Sequence, residues 1–239
     1  MNETTAIRPI DYLTRNLKPY FVSGLIYFSV YALLTFLQWK FTTGLGVAMI
    51  MINIVLVMVL EISQSHYHFR AVHRGTPDLK DICGVFTEKS TQNRLVKLFC
   101  AKIALECGIN VVTSLVGGDA FMSSLAAIIS LIIGILLKPM WYMFCANPSY
   151  PVKLYFTKSV EYMKDKALKY VFVIALYVLA LAGGLIVLLL GMAASMAIGV
   201  ILAVLWLLVV VLWTAMLDIR IALFMKDIIP DEWFAGEAI

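Results

Sequence analysis

From Tyr170 to Leu217 the chain carries no charged residue. That stretch limits the possible folds more than any other feature of the sequence. At about 1.5 Å of rise per helical residue, the apolar run 167–217 is far longer than a single crossing of a hydrocarbon core of about 30 Å requires. It must therefore turn back on itself. Gly191, Met192, Ala193, Ala194 and Ser195 are the expected break; Gly183-Gly184 is a rival, but would leave the preceding helix short.

Four more apolar stretches come earlier, so the six predicted transmembrane helices run at about 20–38, 45–62, 96–116, 121–144, 170–190 and 195–217. The composition agrees: 62% of the residues are hydrophobic, 14% are charged, and the mean hydropathy is +0.91. Soluble domains are nearer half apolar and a quarter charged. The expected fold is all-α, a single polytopic membrane domain over 1–239 with no room for a separate soluble domain.

The basic residues orient it. Of 19 lysines and arginines, only Lys40 falls in a segment joining the first helix to the second, the third to the fourth, or the fifth to the sixth. Lysine and arginine stay on the cytoplasmic face. Both termini are thus predicted inside a bacterial cytoplasmic membrane, with three hairpins and short outer turns at 39–44, 117–120 and 191–194. The first helix is not expected to be cleaved, because its apolar run begins only after about twenty residues containing Arg8, Arg15 and Lys18 and no small-residue cleavage site is evident. Ile7, Ile10, Leu13 and Leu17 form one helical stripe, predicting a surface helix over about 7–18 with Pro9 in its first turn. The inner connections, 63–95 and 147–169, interleave basic and apolar residues. They are predicted to lie as amphipathic helices against anionic headgroups, at roughly 1 kcal/mol per basic residue.

Two stretches carry a resemblance. One is Arg74-Gly75-Thr76-Pro77-Asp78-Leu79-Lys80-Asp81-Ile82, with Phe86 four residues on; the other is Asn147-Pro148, followed by Ser159 and Met163-Lys164. Together they resemble an uncharacterised family of bacterial six-helix membrane proteins, itself distantly similar to the membrane domain of some glycerophosphodiester phosphodiesterases. The chain departs from that pattern at Asp165, where a glycine is usual, and lacks an acidic residue just before Asn147. The resemblance spans about 50–190 and implies fold and topology. It implies no activity.

Polar groups inside a membrane are functional candidates because burying them in hydrocarbon is costly. Counting inward from the outer ends puts Asn53 roughly 12 Å deep and Asn110 roughly 10 Å deep, with Glu106 roughly 16 Å deep near the midplane. Glu61 and Lys102 both fall at about 22–24 Å. The second and third helices are antiparallel in this topology, and Lys102, Glu106 and Asn110 follow at i, i+4, i+8. A polar seam is predicted, with Asn53 meeting Asn110 and Glu61 meeting Lys102. It serves either as structural glue or as a cleft in which Glu106 responds to a proton or cation.

His66, His68 and His73 cluster without metal-site spacing: His66 and His73 lie about 10.5 Å apart along a helix and His68 points elsewhere. Histidines at the headgroup interface are expected instead. Gly191, Ser195, Gly199 and Ala203 form a small-residue ridge assigned to the sixth helix, for intramolecular packing or a homodimer seam. Asp218 and Arg220 are expected to pair or snorkel at the inner interface, and Trp141 and Tyr142 to join a headgroup belt. Trp206 and Trp213 are expected to pack or face lipid. Cys83, Cys100, Cys107 and Cys145 lack CxxC or zinc spacing and are expected as reduced thiols.

No phosphate-binding glycine loop, GxSxG, HExxH or glycosidase-type carboxylate pair occurs. Neither a cofactor nor a nucleic-acid partner is expected. The leading expectation is a non-enzymatic membrane protein binding lipid or a partner membrane protein; the alternative is a small transporter or lipid-moving protein that uses the seam.

Overall fold

A computed structural model describes residues 9–41, 46–87, 89–116 and 120–234. Their regular elements are all helical: α1 (Pro9–Arg15), α2 (Leu17–Phe41), α3 (Gly46–Arg74), α4 (Asp81–Thr87), α5 (Lys89–Val116), α6 (Ala120–Leu137), α7 (Pro139–Ala146), α8 (Val152–Met163), α9 (Ala167–Ala194) and α10 (Met196–Ile228), then a 3-10 turn over Asp231–Trp233. Four helical stretches are long and apolar enough to cross a membrane: Leu17–Leu37, Ile128–Ala146, Ala167–Ala193 and Met196–Ile228. Residues 42–44 and 117–119 of the expected turns lie outside the described residues, as do residues 7–8 of the surface helix, whereas 39–41 belong to α2 rather than to a turn.

Local sequence explains the breaks. Ser195 is extended, at φ −164 and ψ 136, so α9 ends there and α10 runs back along it. Pro139 divides the fourth apolar stretch. Proline offers no N–H and its ring collides with the carbonyl four residues back, and the Lys138 N–H tightens onto Ile135 O at 3.2 Å. α6 therefore ends at Leu137 and the chain resumes as α7 at Pro139.

Packing concentrates at one end of the bundle. There α3, α7 and α10 converge with α8, and Ile62, Leu98, Met140, Met143, Phe144 and Met225 are all fully buried. Along α9 and the first half of α10 the large aliphatics stand exposed, Leu179, Leu190, Val200 and Ile201 among them. An apolar surface of that extent is covered by lipid rather than water.

The basic connection after α3 differs from a pair of surface-lying helices. α3 continues to Arg74 and α5 begins at Lys89, leaving only α4, which folds back onto α3. The motif Arg74–Ile82 is the clamp that holds it. Gly75 adopts φ +76, a region most side chains avoid. The Arg74 guanidinium then reaches Asp81 Oδ2 at 3.0 Å, and the Asp78 carboxylate accepts the Lys80 N–H at 3.0 Å. From α3, His66 Nδ1 donates to Asp81 O at 2.8 Å and the Ser63 hydroxyl to Ile82 O at 2.6 Å.

The second motif is also a structural turn. Asn147 Oδ1 accepts the Ser149 N–H at 3.0 Å, the Tyr155 hydroxyl donates to Asn147 O, and Arg94 donates to Pro148 O at 2.8 Å. Burial pushes the Tyr155 phenol above its ordinary value.

Candidate functional site

The site is built around Glu61 on α3. Its Oε2 lies 2.8 Å from Lys102 Nζ on α5 and accepts the Trp141 indole N–H from α7 at 3.1 Å. Its Oε1 lies 3.8 Å from Lys138 Nζ, at the Pro139 break. Lys102 also reaches Glu106, one turn along α5, at 3.5 Å, and sits over the Trp141 ring at 5.2 Å. Two carboxylates and two ammonium groups thus form one neutral network. Neutrality is what a low-dielectric setting demands, since an unpaired charge there costs several kcal/mol.

The structure accordingly brings together Glu61, Lys102 and Glu106. The side chains of Asn53 and Asn110 lie outside the described residues. α3 and α5 touch over a short stretch only, because α7 packs beside α3 and inserts Trp141 next to Glu61. Lys138 and Trp141 escaped the sequence reading as site residues. Their signal was a lone lysine in an apolar stretch, followed at once by a proline that breaks the helix and turns both residues inward.

Glu106 lines a pocket of about 250 Å³ between α3, α5 and α6, with Lys102, Ile54, Ser130 and Gly134. Beside it is an apolar groove of about 510 Å³, walled by α5, α6 and by Phe156 and Val160 of α8. Leu105, Ile133 and Leu137 line both, so the charged pocket and the apolar groove adjoin.

Several expectations change on contact with the structure. Trp141 and Tyr142 form no headgroup belt: both are buried, because the Glu61 carboxylate needs a donor and α7 supplies it. His66 and His68 are buried among helices rather than facing headgroups. The three imidazoles have separate neighbours, His66 at α4, His68 stacked on Tyr20 of α2, and His73 against Phe69 and Phe234. Burial, with Lys226 and Arg70 nearby, holds the His73 imidazole down at about 4, so it is neutral at pH 7.

Asp218 and Arg220 are two residues apart on one helix, so they point in nearly opposite directions. Asp218 lines a cavity while Arg220 is exposed. The small-residue ridge does not lie on one helix either. Gly191 belongs to α9 and Ser195 is the extended break, so the four-residue register is interrupted. A Cβ at Gly191 would collide with Leu202, and one at Gly199 would lie 2.6 Å from Met192 Cγ, so both glycines serve the α9–α10 contact. Trp206 packs over Gly184, and Trp213 donates to Tyr177 O at 3.1 Å. Cys83, Cys100, Cys107 and Cys145 take part in no disulfide among the described residues.

No family model, curated protein or solved structure matches this chain.

Proposed function

We propose that this chain is a non-enzymatic integral membrane protein of the bacterial cytoplasmic membrane that binds lipid in the groove between α5, α6 and α8. One observation carries the reading: an apolar groove of about 510 Å³ adjoins a pocket holding Lys102 and Glu106. An acyl chain gains roughly 0.8 kcal/mol for each methylene it buries. Lys153 on α8 is exposed and would face the headgroup layer, where anionic lipid concentrates around basic residues. The reading takes α3 and α5 as two further crossings, giving six spans in three hairpins with both termini cytoplasmic. It keeps the chain with the six-helix family its two motifs resemble.

The test is mass spectrometry of lipid released from the full chain extracted in native nanodiscs. A retained lipid class enriched over the bulk membrane, and lost in Val160→Trp, supports the proposal; bulk composition in both samples sinks it. A stoichiometric partner protein seated there instead would also sink it.

The second reading, a small transporter or lipid-moving protein, is favoured by the exposure of Glu106, whose side chain is 35% accessible within its pocket. Substrate flux into proteoliposomes that is abolished in Glu106→Gln would select it. Equal flux in both proteins would dismiss it.

A further inference from the structure

One and two turns beyond Glu61 on α3, Gln64 and His68 line a second cavity, of about 220 Å³, bounded by α2 and α10. Its polar lining is unbalanced. The Asp218 carboxylate of α10 faces it and makes no hydrogen bond or ion pair with the described residues. His68 is 2% exposed, and its Nδ1 is 2.9 Å from Gln64 O. A carbonyl can only accept, so Nδ1 carries the proton and the Nε2 of the neutral ring is left as an acceptor. That Nε2 is buried and has no partner.

Three of the hydroxyl protons lining the cavity are already committed. Ser23 donates to Tyr20 O at 3.0 Å and Thr214 to Val210 O at 2.7 Å. The Ser63 proton goes to Ile82 O, so Tyr27 OH donates to Ser63 Oγ at 3.1 Å. No lysine or arginine lines the cavity. Lys138 is within electrostatic range of Asp218 but is turned to Glu61, at 3.8 Å. What the lining lacks is positive charge carrying N–H donors.

We propose that this cavity binds a protonated primary amine, its ammonium held between the Asp218 carboxylate and His68 Nε2 against the Tyr27 and Tyr31 rings. Aromatic faces attract an organic cation, while Nε2 requires an N–H, which a quaternary ammonium cannot offer. A hard metal ion would ask for six or more oxygen ligands. Asp218 lies roughly 33 Å along α10 from Met196, near one end of the span. The amine can therefore come from a phospholipid headgroup or from solution. The site shares no lining residue with the groove proposed above and stands independently of it.

The full chain in phosphatidylglycerol nanodiscs is titrated calorimetrically with ethanolamine, tetramethylammonium and sodium at pH 7.5. Saturable binding of one ethanolamine per chain is expected, at least about tenfold tighter than either competitor, with Asp218→Asn weakening it at least about tenfold. Tyr31→Ala, at the half-buried cavity wall, should weaken it several-fold and decides the matter if the aspartate variant does not fold. In mixed nanodiscs, native mass spectrometry then separates the sources: retention of phosphatidylethanolamine over phosphatidylglycerol identifies the headgroup, and its absence alongside ethanolamine binding identifies a free amine. The inference is overturned if neither amine binds, if tetramethylammonium or sodium binds as well as ethanolamine, or if binding survives the substitutions unchanged.

Discussion

Replacing Glu61 by glutamine removes one negative charge at nearly constant shape, and so isolates the electrostatics of the network from its packing. The amide oxygen can still accept from Trp141 and Lys102, whose donors lie 3.1 and 2.8 Å from Glu61 Oε2. Lys102 also retains Glu106 at 3.5 Å, whereas Lys138 loses the one carboxylate within 4 Å among the described residues. A charged hydrogen bond reduced to a neutral one, together with a stranded ammonium, costs roughly 2 kcal/mol. Reversible unfolding in bicelles measures it. Adding Lys138→Met removes the stranded charge, so the double variant should be more stable than the sum of the single changes by about 1 kcal/mol or more. A loss below about 0.5 kcal/mol for Glu61→Gln, or strict additivity in the cycle, would refute the network as a coupled unit.

Three further outcomes follow from the geometry. His73 binds its proton more weakly in the fold than in the open chain, at about 4 against 6.5; stability is therefore full above pH 6.5 and falls as pH drops toward 4, and thermal unfolding of His73→Phe should lose that part of the slope. Gly75→Ala meets no atom within 4 Å, so its cost comes from the positive φ alone, about 1 kcal/mol by chemical denaturation. Gly199→Val places its Cβ 2.6 Å from Met192 Cγ and 2.9 Å from Met192 Cα; it should lower stability by about 1–3 kcal/mol, with the oligomeric state by light scattering unchanged.

The helical class was legible because uncharged runs of this length leave a membrane helix as the economical solution, and Ser195 interrupts the longest run among the small residues where a turn was expected. The proximity of Glu61 and Lys102 was legible from depth counting, which depends only on rise per residue. The remaining members of the site were not. Depth gives no azimuth, so nothing in the sequence placed Trp141 beside Glu61 or Asp218 in a cavity with His68. A helix also reads as continuing wherever polarity permits it: α3 runs to Arg74 because the residues after Glu61 bury His66, Tyr67 and His68 against α2 and α4 instead of lying on a headgroup layer.

The unequal distribution of packing along the bundle has a mechanical corollary. Resistance to extraction is stored where α3, α7, α8 and α10 interlock, whereas the α9–α10 turn at Ser195 is anchored mainly by its own two strands of helix and the surrounding lipid. Pulled from that turn by a cantilever, the hairpin should peel out first at low force. The tightly knit remainder should then rupture as a single later event.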